Sequence, residues 1–147
     1  MKNNRSGSFI YLLERTLRQS KSVFQEMLNA KKADITVDQW IVMEEISRKN
    51  EVSQSELAKL SAKDPASITR ILALLEEKKL VQRTASASDK RKIQVRLTSK
   101  GKATLARCAK CVDQFREVAG KNITQAELNH QREILNKFYE NCGGKEL

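Results

Sequence analysis

Helix-start signals recur along this chain and divide it into short segments. At five places a Ser, Thr or Asp stands where its side chain can accept hydrogen bonds from the first free N–H groups of a helix. At three of these places Gln or Glu follows three residues later, which is the spacing of a capping box. The predicted N-caps are Thr36, Ser53, Asp64, Thr98 and Thr124. Together with an N-terminal helix, they predict a mainly α-helical fold.

The spacing of apolar residues agrees with these helices. In residues 8–32 apolar side chains recur three and four residues apart, which predicts one long helix with an apolar seam. The helix over residues 65–78 opens with Pro65, at a position where the missing N–H costs nothing. Its apolar stripe is Ile68, Ile71, Leu72 and Leu75. Burial of that stripe leaves an open side made of Ala66, Ser67, Thr69, Arg70 and Ala73.

The period changes from 3.6 to 2 after this helix. Apolar and polar residues alternate in 92–97, which predicts a strand with one face in water, and residues 81–84 can pair with it. The segment 85–91 between them is small, polar and basic, as in a hairpin loop. Two helices followed by a hairpin are typical of a winged helix-turn-helix, predicted here over residues 36–97. The fold class is therefore mainly α with a small β-hairpin.

The composition restricts the possible functions. The formal charge is +10, and residues 53–102 hold twelve basic and five acidic side chains, which favours an anionic partner. Apolar runs of five residues at most are far from the roughly 20 that cross a bilayer. Three cysteines and a single histidine do not make a disulfide framework or a metal site. We expect no cofactor, no metal and no membrane association, and a cytoplasmic location.

Ten residues are candidates for contacts with double-stranded DNA. A helix fits the major groove, where Arg can bind guanine and small or hydroxyl side chains can approach base edges. The N-terminus of the preceding helix can bind a phosphate, and cations at a hairpin tip can enter the minor groove. The candidates are Gln54, Ser55, Ala66, Ser67, Thr69, Arg70, Asp89, Lys90, Arg91 and Lys92. The alternatives are a plain helix surface for Ser67 and Thr69 and a solvated charged turn for residues 89–92.

Several segments resemble the MarR (multiple antibiotic resistance) family of transcriptional regulators. Asp89-Lys90-Arg91 followed by Val95–Gly101 is similar to that family's D-x-R…L-T-x-x-G wing signature. Ile35–Trp40 resembles its L-T-x-x-Q-W opening of the second helix, and Ser53–Ala58 and Asp64–Arg70 resemble its two DNA-reading helices. The similarity runs over nearly the whole chain, which we interpret as a single MarR-like chain over residues 1–147.

The resemblance implies a homodimeric regulator, expected to be a repressor, that binds a pseudo-palindromic operator. It implies that Arg91 enters the minor groove and that Asp89 positions it. The dimerisation helices would be residues 8–32 and 98–143, and the apolar seams at 10–27, 105–119 and 128–142 suit such an interface. An intramolecular core alone is the competing interpretation of these seams. One departure is Lys79, where the family usually has Gly, so that this helix end is either strained or built differently.

Family members commonly respond to an oxidant or to a small, often aromatic, anionic effector. Cys108 and Cys111 lie on one side of the fifth helix, and we predict core packing for Cys108 and partial exposure for Cys111. We therefore expect ligand sensing or none, and not thiol chemistry at Cys108 and Cys111. Candidate effector contacts, chosen by residue type and approximate place, are Tyr11, Arg15, Trp40 and Met43; for Trp40, core packing is the favoured interpretation.

Other classes of function have less support. The chain has no glycine-rich phosphate loop and no nucleophile motif, so an enzyme is not expected. Its seven Phe, Trp and Tyr residues mostly lie on apolar seams, which disfavours stacking on single-stranded RNA. The main alternative is a winged-helix module that binds another protein and not specific DNA.

Overall fold

The structure is a computed structural model that describes residues 8–86 and 92–144. Six helices and three short strands follow one another along these residues. The helices are α1 Phe9–Ala30, α2 Val37–Lys49, α3 Gln54–Leu60, α4 Pro65–Glu77, α5 Ser99–Ala119 and α6 Gln125–Asn141. The strands are β1 Val52–Ser53, β2 Val81–Ala85 and β3 Ile93–Leu97. The predicted fold class, mainly α with a small hairpin, is confirmed.

The helices begin where the sequence predicted. Thr36 accepts a hydrogen bond from the backbone N–H of Gln39, whose side chain accepts one from the N–H of Thr36. Thr124 caps α6 in the same reciprocal way, and Asp64 caps α4 just before Pro65. At Ser53 only half of the predicted box forms: its hydroxyl accepts from the N–H of Glu56. The carboxylate of Glu56 lies instead 3.6 Å from the Lys49 ammonium.

The strands form one antiparallel sheet in the order β1-β3-β2. The β2–β3 hairpin was predicted, with Val81 opposite Leu97 and Ala85 opposite Ile93. The edge strand β1 was not, because two residues are too short to show a period of two. Val95 and Leu97 are buried while Ile93 is 43% exposed, so the inner face of β3 enters the core only over its second half.

The core lies among α1 to α5 and the sheet. Its large, fully buried side chains come from all five helices and from the sheet: Leu28, Val42, Met43, Ile46, Leu57, Ile68, Leu72, Leu75, Val52, Val95, Cys108 and Cys111. Trp40 is half-buried against this core, with its ring edge-on to Phe24 at 4.8 Å between centroids. The predicted stripe of α4 is confirmed, with Ile71 only partly buried.

Cys111 departs from its predicted exposure. It is fully buried, and its thiol donates a long hydrogen bond to the Met27 carbonyl, with 3.6 Å between sulfur and oxygen. The reason is that the side of α5 that carries Cys108 and Cys111 packs against the core, and α1 covers Cys111 as well as Cys108. Burial raises the pKa of the Cys108 thiol, which disfavours the reactive thiolate.

The chain divides into two compact units. The first comprises the described residues up to Phe115 and contains the core. The second begins at Arg116 and contains the end of α5, the connecting turn and α6. Among the helices that the structure describes, none is long and apolar enough to cross a membrane.

The junction between α4 and β2 is built around the Leu80 backbone. The Leu80 N–H donates to the Leu75 carbonyl at 2.8 Å, and its own carbonyl accepts from the N–H of Thr98 at 3.0 Å. A Cβ on Gly101 would lie 2.1 Å from this carbonyl oxygen, so only glycine lets α5 start here. Lys79 adopts the left-handed conformation, with φ of +59°. Of the two alternatives for Lys79, the strained helix end is the one that forms.

Replacing Lys79 with Gly should stabilise the protein. A non-glycine residue at positive φ carries a steric cost that exceeds the extra chain entropy of glycine, so we expect the free energy of unfolding to rise by about 0.5–1 kcal/mol. Urea unfolding followed by circular dichroism measures this. Lys79→Ala removes the same side chain but keeps Cβ, so it should give no such gain. Equal gains from both variants would contradict the strained helix end.

Candidate nucleic-acid interface

The first turn of α4 is organised by its N-cap. The Asp64 carboxylate accepts hydrogen bonds from the backbone N–H of Ser67 at 2.8 Å and from its hydroxyl at 2.5 Å. The hydrogen bonds from Ser67 lower the pKa of Asp64. The Arg70 guanidinium lies 3.4 Å from the Ser67 oxygen, which accepts from it. Ser67 is therefore held on both sides, and Arg70 lies at the surface beside it.

The exposed side of α4 contacts the start of α3. The Gln54 side-chain N–H₂ donates to the Thr69 hydroxyl oxygen at 2.9 Å, and the Thr69 hydroxyl donates to the Pro65 carbonyl. Ser55 is exposed beside Gln54. We call the set formed by Gln54, Ser55, Ala66, Ser67, Thr69 and Arg70 the reading edge. The structure brings these six predicted residues together on two adjoining helices, with Ala66, Thr69 and Arg70 exposed as predicted.

A cleft of about 540 Å³ connects the reading edge with the hairpin. Its lining includes the predicted residues Gln54, Ser55 and Lys92, together with Pro65 at the start of α4. Two further lysines, Lys59 and Lys63, also line it. The loop end of the hairpin and the first helix of the helix-turn-helix therefore share one cationic surface. Asp89, Lys90 and Arg91 lie outside the described residues, and their roles remain predictions.

An ion pair fastens β2 to the last turn of α4. Arg83 donates through Nε to the Glu76 carboxylate at 2.9 Å and through Nη2 to the same oxygen. The hydrogen bond from Arg83 and its positive charge lower the pKa of Glu76. This pair holds the reading helix and the hairpin in one orientation. Sequence analysis had no signal for it, because seven residues across a turn match neither the helix nor the strand period.

A second cluster joins α1, α2 and the turn before α4. The Asp38 carboxylate lies 2.8 Å from the Lys21 ammonium and 2.7 Å from that of Lys63. Burial alone would raise the pKa of Asp38, but the two lysines outweigh it and lower the pKa. Because Lys63 directly precedes the N-cap Asp64, the cluster anchors the entry to the reading helix. Sequence analysis missed it, since the partners lie 17 and 25 residues apart.

The four candidate effector residues are not gathered in one described cleft. Tyr11 and Arg15 are exposed on α1, Trp40 is half-buried beside Phe24, and Met43 is fully buried. A second cleft, of about 470 Å³, lies beside α4 near Arg70, Ile71 and Leu74, and its described lining includes none of the four. The effector site therefore remains a prediction.

These features define a winged helix-turn-helix protein, in which a short helix, a reading helix and a β-ribbon share one basic face. The model of the MarR family matches residues 35–93. The chain is 29% identical to the transcriptional repressor NicR of Pseudomonas putida, over 90% of this chain and 85% of that protein. It is 30% identical to the transcriptional regulator SarZ of Staphylococcus aureus, over 86% of this chain and 87% of that protein.

A solved structure shows the same fold. A cysteine-to-serine mutant of MarR from Escherichia coli, crystallised with operator DNA, superposes with a TM-score of 0.84 at 27% identity, over 94% of this chain and 98% of that one. The chain belongs to the MarR family. Like these relatives, it is a DNA-binding transcriptional regulator and not an enzyme.

Replacing Glu76 with Gln should show what the pair with Arg83 contributes. Because the pKa of Glu76 is lowered in the folded state, its stabilisation is present above its ordinary value of 4.5 and is lost as the pH falls through the folded value. We expect a loss of about 0.5–1 kcal/mol in unfolding free energy at neutral pH, since the pair is partly exposed. The loss should shrink towards about pH 3.

Denaturant titrations at both pH values measure this difference. Glu77→Gln removes the neighbouring exposed carboxylate and serves as the matched control. It should give the same small change at both pH values. A Glu76→Gln effect that does not depend on pH would contradict the ion pair.

Proposed function

We propose that the chain is a sequence-specific repressor that binds a pseudo-palindromic operator as a homodimer. In this proposal α4 enters the major groove through the reading edge, and the hairpin tip with Arg91 reaches the adjacent minor groove. The observation that carries it is the shared cationic cleft. Lys92, at the loop end of the hairpin just before β3, lines the same cleft as Gln54, which is hydrogen-bonded to Thr69 on α4.

The dimensions and charges suit a duplex. Thirteen helical residues make α4 about 20 Å long, and the major groove is wide enough to admit such a helix. Lys59 and Lys92, the exposed lysines of the cleft, can neutralise phosphates between the two grooves, and such contacts supply most non-specific affinity. The MarR protein with operator DNA and the repressor NicR support a DNA-binding, repressing role.

The homodimer is proposed from the exposed apolar side chains of the terminal helices. On α1 these are Phe9, Ile10, Tyr11, Leu12 and Leu17. On α6 they are Ile134, Leu135, Phe138 and Tyr139. Several exposed apolar side chains on one helix are uncommon on monomers and mark an interaction site, and this holds for α1 and for α6 taken separately. A second copy of the chain would cover these faces by twofold symmetry, as palindromic recognition requires. A cytoplasmic location is part of the proposal, since the operator is there.

An effector would act on this dimer. Tyr11 and Arg15 offer an aromatic ring and a cation on the exposed face of α1, which suits a small aromatic anion. Because both are open to solvent in one chain, such a site needs a second copy to enclose it. We therefore propose that any effector pocket is completed by the dimer.

The salt dependence and the operator affinity of DNA binding should distinguish the contact of Arg91 from that of Arg70. The wild-type protein should bind random duplex DNA at low salt, and Arg91→Ala should reduce the slope of log K against log salt by about one unit. Arg70→Ala should weaken binding to a selected operator by about tenfold or more, since one base contact is worth about 1–3 kcal/mol. Fluorescence anisotropy with labelled duplexes measures both effects.

Lys110→Ala is the matched control for these variants. It removes one exposed cation of α5 outside the reading edge, and it should leave operator binding nearly unchanged. If the wild-type protein does not bind DNA at low salt, the DNA-reading proposal fails. That outcome would favour the protein-interaction module.

The oligomeric state should depend on the exposed seam of α1. Leu17 is 59% exposed, so a charge there should not affect the folded chain but should disrupt an apolar dimer contact. We expect Leu17→Glu to raise the dimer dissociation constant by about tenfold or more, measured by sedimentation equilibrium. Gln19→Glu adds the same charge off the seam and should remain dimeric. A monomeric wild-type protein at micromolar concentration would contradict the dimer.

A further inference from the structure

The hydroxyl of Thr69 is already used inside the protein. A threonine hydroxyl has one proton to donate and two lone pairs that accept. The proton of Thr69 goes to the Pro65 carbonyl at 2.9 Å, and one lone pair accepts from the Gln54 amide at 2.9 Å. The residue is nevertheless exposed on the reading edge. With its proton and one lone pair directed to its own helix and to α3, the groups left to meet a partner are the second lone pair and the methyl group.

The Gln54 side chain is held in one amide orientation. Because the Thr69 proton is donated to Pro65, the N–H₂ end of the Gln54 amide is the end that bonds to the hydroxyl oxygen. This orientation leaves the other polar atom of the Gln54 amide, its oxygen, without a partner in the described part of the chain. The Gln54 side-chain oxygen is buried, and among the described residues it has no hydrogen-bond partner. A buried unpaired acceptor destabilises a fold, so stability alone does not explain this glutamine.

The neighbouring hydroxyl is occupied as well. Ser67 donates to the Asp64 carboxylate and accepts from Arg70. Besides its hydroxyl groups, the reading edge offers two kinds of contact at its surface. One is the guanidinium of Arg70, which keeps further N–H groups for a base or phosphate. The other is apolar and is centred on the Thr69 methyl group.

We propose that Thr69 reads the 5-methyl group of a thymine, and that Gln54 is the positioning residue that keeps it in this role. This inference rests on the proposed function. Among the groups that base pairs present in the major groove, the thymine 5-methyl is the apolar one, and threonine methyl groups pack against it. Because Gln54 takes one of the two lone pairs of the hydroxyl oxygen, Thr69 keeps less hydrogen-bonding capacity for a base than a free threonine would.

The test uses deoxyuridine in place of thymidine. Duplexes are first selected from a random pool with the full chain, and each thymidine of the selected sequence is then replaced singly by deoxyuridine, which lacks only the methyl group. At one position in each half-site the wild-type protein should bind about fourfold more weakly, the effect of one buried methyl group. The sensitive positions should form symmetric pairs.

Two variants of Thr69 separate the methyl group from the hydroxyl. Thr69→Ser keeps the hydroxyl and should lose the preference for thymidine over deoxyuridine. Thr69→Val keeps a methyl group at the same place and should retain a preference of about fourfold. If Thr69 contacted DNA only through its hydroxyl, it would give no preference for thymidine over deoxyuridine, and Thr69→Val would instead weaken binding to both duplexes equally.

Gln54→Met tests the positioning role. It removes the orphaned oxygen, so thermal stability should not fall, while the thymidine preference should drop below about twofold, less than half the effect of one buried methyl group. A residue with a merely structural role would not change this preference at constant stability. Gln82→Met, on the exposed face of β2, is the matched control and should keep the full preference.

These experiments distinguish a failure of the thymine contact from a failure of the proposed DNA-binding function. If the wild-type protein selects an operator but no deoxyuridine substitution weakens binding, the thymine contact is wrong and the DNA-reading function stands. The same holds if Thr69→Ser keeps the preference and Thr69→Val loses it. If no DNA is selected at low salt, the proposed function and this inference both fail.

Discussion

The attachment of the reading helix to the sheet is the constraint on which the rest depends. The two grooves of a duplex lie at fixed positions, so a helix and a hairpin can use both only if their relative orientation is set before binding. Three contacts set it here. Glu76 pairs with Arg83 across the turn, the Leu80 carbonyl accepts from Thr98, and Gly101 lets α5 begin against that carbonyl. The left-handed Lys79 is the conformational cost of this tight junction.

Capping chemistry explains why the sequence predicted most of the fold. A cap joins residues three apart, so Thr36 with Gln39 and Thr124 with Glu127 could be identified from sequence alone. The exposed side of α4 followed from its apolar stripe in the same local way. Contacts between distant segments left no local pattern. The Asp38 cluster and the bond from Gln54 to Thr69 depend on how α1, α2, α3 and α4 meet.

The wrong prediction at Cys111 has a related cause. Spacing placed Cys108 and Cys111 on one side of α5, but how much of that side is covered depends on the path of α1, which local spacing does not determine. The hairpin shows a different limit. Its strands could be predicted from the alternation of apolar and polar residues. The proposed contacts of Asp89 and Arg91 concern a partner molecule, and they rest on the family resemblance together with the cationic cleft at the loop end of the hairpin.

The reading edge directs most of its hydrogen bonds to itself. Ser67 and Thr69 are satisfied internally, and this pre-organises the surface before a partner arrives. In the proposed complex, specificity then depends on shape, a methyl group and one guanidinium, whereas affinity comes from lysines such as Lys92 near the phosphates. Such a division lets one basic surface scan any duplex and still select among base pairs.

Chemical footprinting of the selected operator tests the central claim most directly, that α4 and the hairpin occupy neighbouring grooves of one duplex. Dimethyl sulfate methylates guanine N7 in the major groove and adenine N3 in the minor groove. The account predicts two major-groove protections about one helical turn apart, each flanked by a minor-groove protection. Protection of only one kind of groove, or none at saturating protein, would contradict it.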